Sequence, residues 1–240
     1  MSKYTIVVPA RLESTRLPRK LLLDDTGKTL LEHSLENLQV LRDEAELFLV
    51  TDSELLAEKG KALVDSVHIS TREFESGTAR ISEILSQIKT DYLLNVQADE
   101  PEMDAGALKS LMARMMSETD VQMATLGTPF TSKESWQNHN AVKVLCGHND
   151  KALYFSRTAL PYGGSFDSPG VLHHIGVYAY KKELLARWGS LPQGHFESLE
   201  RLEQLRALEN DISLLVLPVS CAQKGIDTLE DYNHFKNRLG

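Results

Sequence analysis

The chain opens on a short, wholly apolar run, residues 4–10 (YTIVVPA), which passes directly into a ten-residue loop holding four cations, Arg11, Arg16, Arg19 and Lys20. A run this short and this continuous reads as a strand covered on both faces, as in a parallel sheet. Leu30, Leu31, Ser34, Leu35, Leu38 and Leu41 then recur at helical spacing, predicting a helix over about 29–41. Strands are expected at 47–51, 67–70 and 92–97, with helices over 76–89 and 104–116 between and after them. Strand and helix thus alternate over the first 117 residues, which predicts a mainly parallel, doubly wound α/β sheet. The second half is more mixed. Strands are expected at 121–127, 141–145, 176–180 and 214–219, one long helix over 196–209, an exposed loop over 161–169 and a closing helix over 229–239. The 240 residues read as a single domain, 1–240, with about 129–195 as an inserted subdomain.

Charge and composition narrow the partners. Lys and Arg total 26 against 34 Asp and Glu, a net charge of −8, which argues against broad nucleic-acid binding through phosphate neutralisation. No stretch reaches the roughly 18 apolar residues of a membrane span, and no leader pattern opens the chain. Cys146 and Cys221 form no C-x-x-C pair, so neither a zinc site nor a disulfide framework is expected, and both read as small buried residues of strands. A reducing cytoplasm is the expected location.

The four cations of the first loop follow a buried strand, and ligands in open α/β sheets bind outside the carboxyl ends of strands. Arg grips phosphate bidentately and Lys acts as a point charge, so a phosphate-rich ligand is expected there, although a solvated basic turn fits the charge run as well. Neither a P-loop nor a dinucleotide-binding glycine fingerprint is present. A second group, Gln97-Ala98-Asp99-Glu100-Pro101, ends a strand at the same sheet edge. Asp99 is the candidate Mg²⁺ ligand, against the plainer reading that these acids cap the next helix. Asp227 reads either as a second metal carboxylate or as the N-cap of the closing helix. His173-His174 beside a strand and Glu203-Gln204 within the long helix place polar groups in apolar surroundings.

These residues, taken together, resemble bacterial 3-deoxy-manno-octulosonate cytidylyltransferases, also called CMP-Kdo synthetases. The resemblance is carried by VVPARLESTRLPRKLL at the start, SGTAR (76–80), NVQADEP (95–101), AVKVL (141–145), ALYFSR (152–157), HIGVYAY (174–180), LEQLRALE (202–209) and GIDTLED (225–231), in the family's order and from end to end. It implies a Rossmann-like nucleotidyltransferase fold with a mixed, mainly parallel sheet and a small dimerising subdomain. It implies reaction of CTP with an acidic eight-carbon sugar to give CMP-sugar and pyrophosphate for lipopolysaccharide biosynthesis, with Mg²⁺ as cofactor and a homodimer as the assembly.

Carried over residue by residue, the resemblance places the triphosphate on Arg11, Arg16 and Lys20 and the rest of the nucleotide on Ser76, Gly77 and Arg80. It places the metal on Asp99 and Asp227, and the sugar acid on Gln97, Arg157, His174, Tyr178, Glu203 and Gln204. The catalytic set is then Arg11, Lys20, Asp99 and Asp227. The sequence departs from the family at Arg19, where glycine is usual, at Ala98 for glycine, at Ala79 for an acid and at Leu229 for proline. A Cβ strains a positive φ, so the loop around Arg19 is expected to sit differently. Related acceptors, an 8-amino octulosonate or a sialic acid, fit the same residues, and a nucleotide-binding module without turnover is the reading from another class.

Overall fold

The computed structural model describes residues 2–70, 77–220 and 225–239. The chain divides into two compact units, unit 1 of Met1–Gly106 with Gln223–Gly240, and unit 2 of Ala107–Ala222.

Unit 1 contains four parallel strands, β1 (Tyr4–Ala10), β2 (Ala45–Thr51), β3 (Ser66–Ile69) and β4 (Tyr92–Asn95), in the order β3-β2-β1-β4. β1 is central, paired with β2 from Tyr4↔Ala45 to Ala10↔Thr51 and with β4 at Thr5↔Leu93. Its near-continuous burial is what the unbroken apolar run requires. The connections run through α1 (Leu30–Asn37), α2 (Glu54–Gly60) and α3 (Gly77–Glu83). Thr29 and Glu32 form a reciprocal cap that starts α1, and Leu30, Leu31 and Leu35 bury its inner face. The expected helix over 29–41 ends as a 3₁₀ turn at Leu38–Leu41. At Gly60 a Cβ would collide with the Leu49 and Leu35 side chains, so glycine lets α2 lie close on the sheet and on α1.

The unit boundary falls inside α4 (Ala105–Ser117), whose Leu108, Leu111, Met112 and Met115 are fully buried. Unit 2 holds β5 (Met123–Thr128), α5 (Lys133–Gln137), β6 (Lys143–Cys146), β7 (Ala152–Ser156), β8 (Val171–Lys181), α6 (Lys182–Trp188), α7 (His195–Glu200), α8 (Leu205–Glu209) and β9 (Leu214–Pro218). β5 lies between an antiparallel β8 and a parallel β9, so the pairing in this unit is mixed. β8 also pairs antiparallel with β6, and β6 with β7. Phe130, Trp136 and Val171 form a small apolar cluster with Leu145, Ala159 and Phe166 inside the 129–195 segment. Cys146 lies half-buried on β6, where burial pushes its thiol up to about 11; Cys221 is outside the described residues. The 161–169 loop is exposed at Tyr162, as expected.

Three sequence expectations differ from the structure. β7 was not anticipated from its pattern, and β8 begins at Val171, well before residue 176. The single helix over 196–209 is two short helices, broken where Arg201 turns left-handed at φ 54°. The break lets Glu209 accept the Phe196 and Glu197 N–H groups at 2.9 and 3.0 Å and lets Arg206 pair with Glu197 at 2.6 Å. A straight helix would hold residues 196 and 209 about 20 Å apart.

α9 (Leu229–Leu239) returns the chain to unit 1. The Asp25 N–H bonds to the Tyr232 hydroxyl at 3.1 Å, and Phe235 meets His33 edge-on. Arg238 also pairs with Glu102.

Candidate active site

The carboxyl ends of β1 and β4 open into a cleft of about 320 Å³ in unit 1, lined by Arg11, Arg16, Lys20, Arg80, Asp99 and Asp227. Its floor is the turn after β4. The Ser34 hydroxyl of α1 donates to the Ala98 carbonyl at 2.7 Å, which fixes the turn against the helix. The Ile226 N–H donates to the Asp99 carbonyl at 2.9 Å, which seats the C-terminal segment beside it. Two carboxylates far apart in sequence are thereby brought to one point.

Lys20 lies between them. Its Nζ donates to Asp99 Oδ2 at 2.5 Å, Asp227 Oδ1 at 2.9 Å and the Ile226 carbonyl at 2.8 Å, and the residue is only 8% exposed. Arg16 reaches the same Asp227 oxygen at 2.9 Å. Two carboxylates and a carbonyl are the oxygen donors that a hard divalent cation takes, and the ammonium stands where such a cation would be held. Among the described residues no group of three or more His, Cys, Asp and Glu could hold a metal, so the pair would rely on ligand oxygens to complete a shell. Glu100, next to Asp99, is pushed up to about 8 by burial and by the charges of Asp99 and Asp227. The same burial and like charges disfavour a third negative charge in the cluster.

Asp227 is not the cap of α9. Thr228 takes that place, its hydroxyl accepting the Asp231 N–H at 3.2 Å, while Asp231 accepts the Thr228 and Asp227 N–H groups. The Asp227 carboxylate is left for the cleft. Arg19 also differs from expectation: it stands at φ 52°, ψ 30°, so the loop takes up the left-handed turn despite its Cβ.

The basic loop is strapped by two groups. Asp52, at the carboxyl end of β2, accepts the Leu12 N–H at 2.9 Å and lies 3.4 Å from Arg80. The buried Arg80 donates to the Ala10 carbonyl at 2.7 Å. Arg80 thus lines the cleft while holding the exit of β1, and Asp52, just past β2, belongs to the site's support. Its position after a parallel strand at the ligand edge was the available signal. Gln97 lines the same cleft, Gly77 opens α3, and Ser76 lies outside the described residues.

The remaining candidates lie in unit 2 and fall into two groups. His174 on β8 packs against Tyr178 with ring centres 5.3 Å apart, and the Glu203 charge faces Tyr178. Burial lowers His174 to about 3 and raises the Tyr178 hydroxyl well above its ordinary value, so both are neutral. The Thr125 hydroxyl donates to the Val177 carbonyl at 2.6 Å, so His174 Nε2, 3.0 Å from it, carries the ring proton. Glu203 accepts from Trp188 Nε1 at 3.0 Å, and the neighbouring Gln204 is buried with its Nε2 unpartnered among the described residues.

Arg157 is anchored to Glu200. Its Nε donates to the Glu200 carbonyl and its N–H to the Glu200 carboxylate, both at 2.9 Å. Beneath it, the fully buried Lys143 donates to the Arg157 and Asn138 carbonyls, each at 2.8 Å. Lys143 and Glu200 escaped the sequence reading, although a lysine inside the apolar AVKVL run was a visible signal.

Comparisons with known proteins place the chain among its relatives. The Cytidylyltransferase family profile matches residues 5–214. A 3-deoxy-manno-octulosonate cytidylyltransferase of Rhodopirellula baltica is 35% identical over 99% of this chain and 98% of its own length. One from Flavobacterium johnsoniae is 37% identical over 99% and 98%, and one from Escherichia coli is 33% identical over 95% and 92%. A solved structure of CMP:2-keto-3-deoxy-manno-octonic acid synthetase complexed with CTP superposes with a TM-score of 0.92 at 31% identity, covering 99% of this chain and 98% of that one.

Proposed function

The chain belongs to the 3-deoxy-manno-octulosonate cytidylyltransferase family, and from that premise we propose how its residues carry out CTP-dependent activation of 3-deoxy-manno-octulosonate. The anomeric hydroxyl oxygen of the sugar attacks the α-phosphorus in line. The bond from that phosphorus to the bridging oxygen of the β-phosphate breaks, CMP-sugar forms, pyrophosphate leaves and the hydroxyl proton is released to solvent. The observation that carries the reading is the clasp of Lys20 by Asp99 and Asp227 in a cleft that also presents Arg11 and Arg16.

Arg11, Arg16 and Lys20 bind the triphosphate and offset the charge that grows on pyrophosphate, an electrostatic contribution that often dominates catalysis. Asp99, Asp227 and the Ile226 carbonyl would hold Mg²⁺, which when bound neutralises phosphate charge and favours the ionised form of the attacking hydroxyl. Asp52 and Arg80 keep the basic loop in register, and the family resemblance assigns nucleotide binding to Ser76 and Gly77 as well. Gln97, His174, Tyr178, Glu203, Gln204 and Arg157 bind the sugar acid. In that role the neutral His174, Tyr178 and Gln204 supply hydrogen bonds, and Arg157 supplies positive charge for the carboxylate.

We assign a homodimer, supported by the exposed apolar side chains of Leu153, Phe196 and Leu199, and light scattering on the purified protein checks it. A cytoplasmic location and a place in lipopolysaccharide synthesis follow from the same premise. No helix among the described residues is long and apolar enough to cross a membrane.

The test is pyrophosphate release from CTP and Mg²⁺ with 3-deoxy-manno-octulosonate, its 8-amino analogue and a sialic acid in parallel, with EDTA and sugar-free controls. Release with the first sugar that stops in EDTA is the expected result. Release only with another sugar, or from Asp99→Ala at the wild-type rate, overturns the assignment of acceptor or of site respectively.

A further inference from the structure

We propose that the Lys20 ammonium is the resident cation of the Asp99–Asp227 pair and that a divalent cation enters by exchange, the ammonium swinging to the phosphate side of the cleft as the ion takes its oxygens. The inference rests on the cation site proposed above. All three ammonium donors are used, on Asp99 Oδ2 at 2.5 Å, Asp227 Oδ1 at 2.9 Å and the Ile226 carbonyl at 2.8 Å. Lys20 is therefore a fitted occupant of the carboxylate pair.

A hard cation such as Mg²⁺ bonds to carboxylate oxygens at about 2.0–2.1 Å and needs the same lone pairs. Arg16 meets Asp227 Oδ1 from the exposed side, but the ammonium occupies the lone pairs of Asp99, Asp227 and the Ile226 carbonyl together, so it must leave them for the ion to bind. Lys20 has somewhere to go: its side chain lines the same cleft as Arg11 and Ser14, and its flexible four-carbon stem lets the ammonium turn within the cleft while the backbone turn at Leu17 and Arg19 stays in place. Before nucleotide arrives Lys20 and Arg16 together already offset the two carboxylates, and metal has little to gain. The triphosphate gives the displaced ammonium a new partner, so nucleotide and metal load together.

The experiment is Mn²⁺ titration of nucleotide-free protein, read by the electron paramagnetic resonance of free Mn²⁺. It uses wild type, Lys20→Met, Lys20→Gln and, as a control that removes one positive charge from the same cleft without emptying the seat, Arg11→Met. Circular dichroism checks each fold, and Lys20→Gln retains an N–H donor for Asp99 if the methionine variant proves unstable. Both Lys20 variants are expected to bind Mn²⁺ at least about tenfold more tightly than wild type, and Arg11→Met within about threefold of it. Lys20 variants that bind no more tightly than Arg11→Met overturn the exchange and leave only a general charge effect. Adding Asp227→Asn to Lys20→Met separates the two levels. Loss of the tight binding supports the exchange, whereas undiminished binding shows that the ion sits elsewhere and removes both the site and the exchange.

Discussion

Arg19 offers a direct measure of what the first loop costs the fold. Its left-handed backbone, φ 52°, opens the turn that carries Lys20. A Cβ in that region costs about 1–2 kcal/mol. Glycine would remove this cost and return about 0.5–1 kcal/mol through the greater freedom of its unfolded chain. The Arg19 side chain pairs with Glu13 at 3.3 Å, but at 60% and 68% exposure the pair contributes at most about 0.5 kcal/mol. Arg19→Ala loses the pair and keeps the Cβ, whereas Arg19→Gly loses both. The glycine variant is therefore expected to exceed the alanine variant by about 0.5–1 kcal/mol, or about 1–4 °C in melting temperature, and to match or slightly exceed wild type. Both tryptophans, Trp136 and Trp188, lie in unit 2, so far-ultraviolet circular dichroism in thermal and urea melts is the appropriate probe of a change in unit 1. An alanine variant as stable as the glycine variant would refute the argument, because the left-handed turn would then carry no side-chain strain.

Other perturbations follow from the same structure. Asp99→Asn and Asp227→Asn are each expected to lower kcat/KM at least about 100-fold with the fold retained, measured by pyrophosphate release and circular dichroism. Asp52→Ala frees the Leu12 N–H and one side of Arg80, and should raise KM for CTP several-fold with a smaller effect on kcat. Lys143→Met leaves the Asn138 and Arg157 carbonyls without their buried donor, an expected loss of about 2–3 kcal/mol in urea melts, and should raise KM for the sugar and leave that for CTP unchanged. His174 has a folded value of about 3, below the ordinary 6.5, so the unfolded state binds its proton first as pH falls. Its contribution is fully present above pH 6.5 and declines by up to about 1.4 kcal/mol per pH unit from there towards pH 3. His174→Gln should flatten the pH dependence of the urea midpoint over that window, and an unchanged slope would refute the burial argument.

The sequence and the structure agree most closely where short-range chemistry decides the outcome. The apolar run of β1 and the Leu spacing of α1 specify their elements because burial on two faces and on one stripe leave different periods. The acid pair was legible as two separate candidates, Asp99 at the end of an apolar strand and Asp227 at the start of the closing helix. Their meeting depends on the Ile226 N–H bond to the Asp99 carbonyl, which no local pattern encodes. The α7–α8 break was hidden for the same reason: the apolar spacing of 196–209 suits one helix, and the contacts across the break, Glu209 with the Phe196 N–H and Arg206 with Glu197, are not encoded in that spacing. Arg19 shows the opposite case, where residue preference alone misled because the clasp on Lys20 and the strapped loop hold a conformation the side chain disfavours.

Unit 1 is written in two pieces, with the whole of unit 2 between Asp99 and Asp227. On a ribosome, which adds about 5–20 residues per second, the first acid waits on the order of ten seconds for its counterpart to be made. During that interval Lys20 has one carboxylate to meet, and the returning segment supplies the second and the Ile226 carbonyl together. Completion of the clasp is thus a late event in the birth of the protein, and a polypeptide that stops short of the return segment carries the loop chemistry without the means to use it.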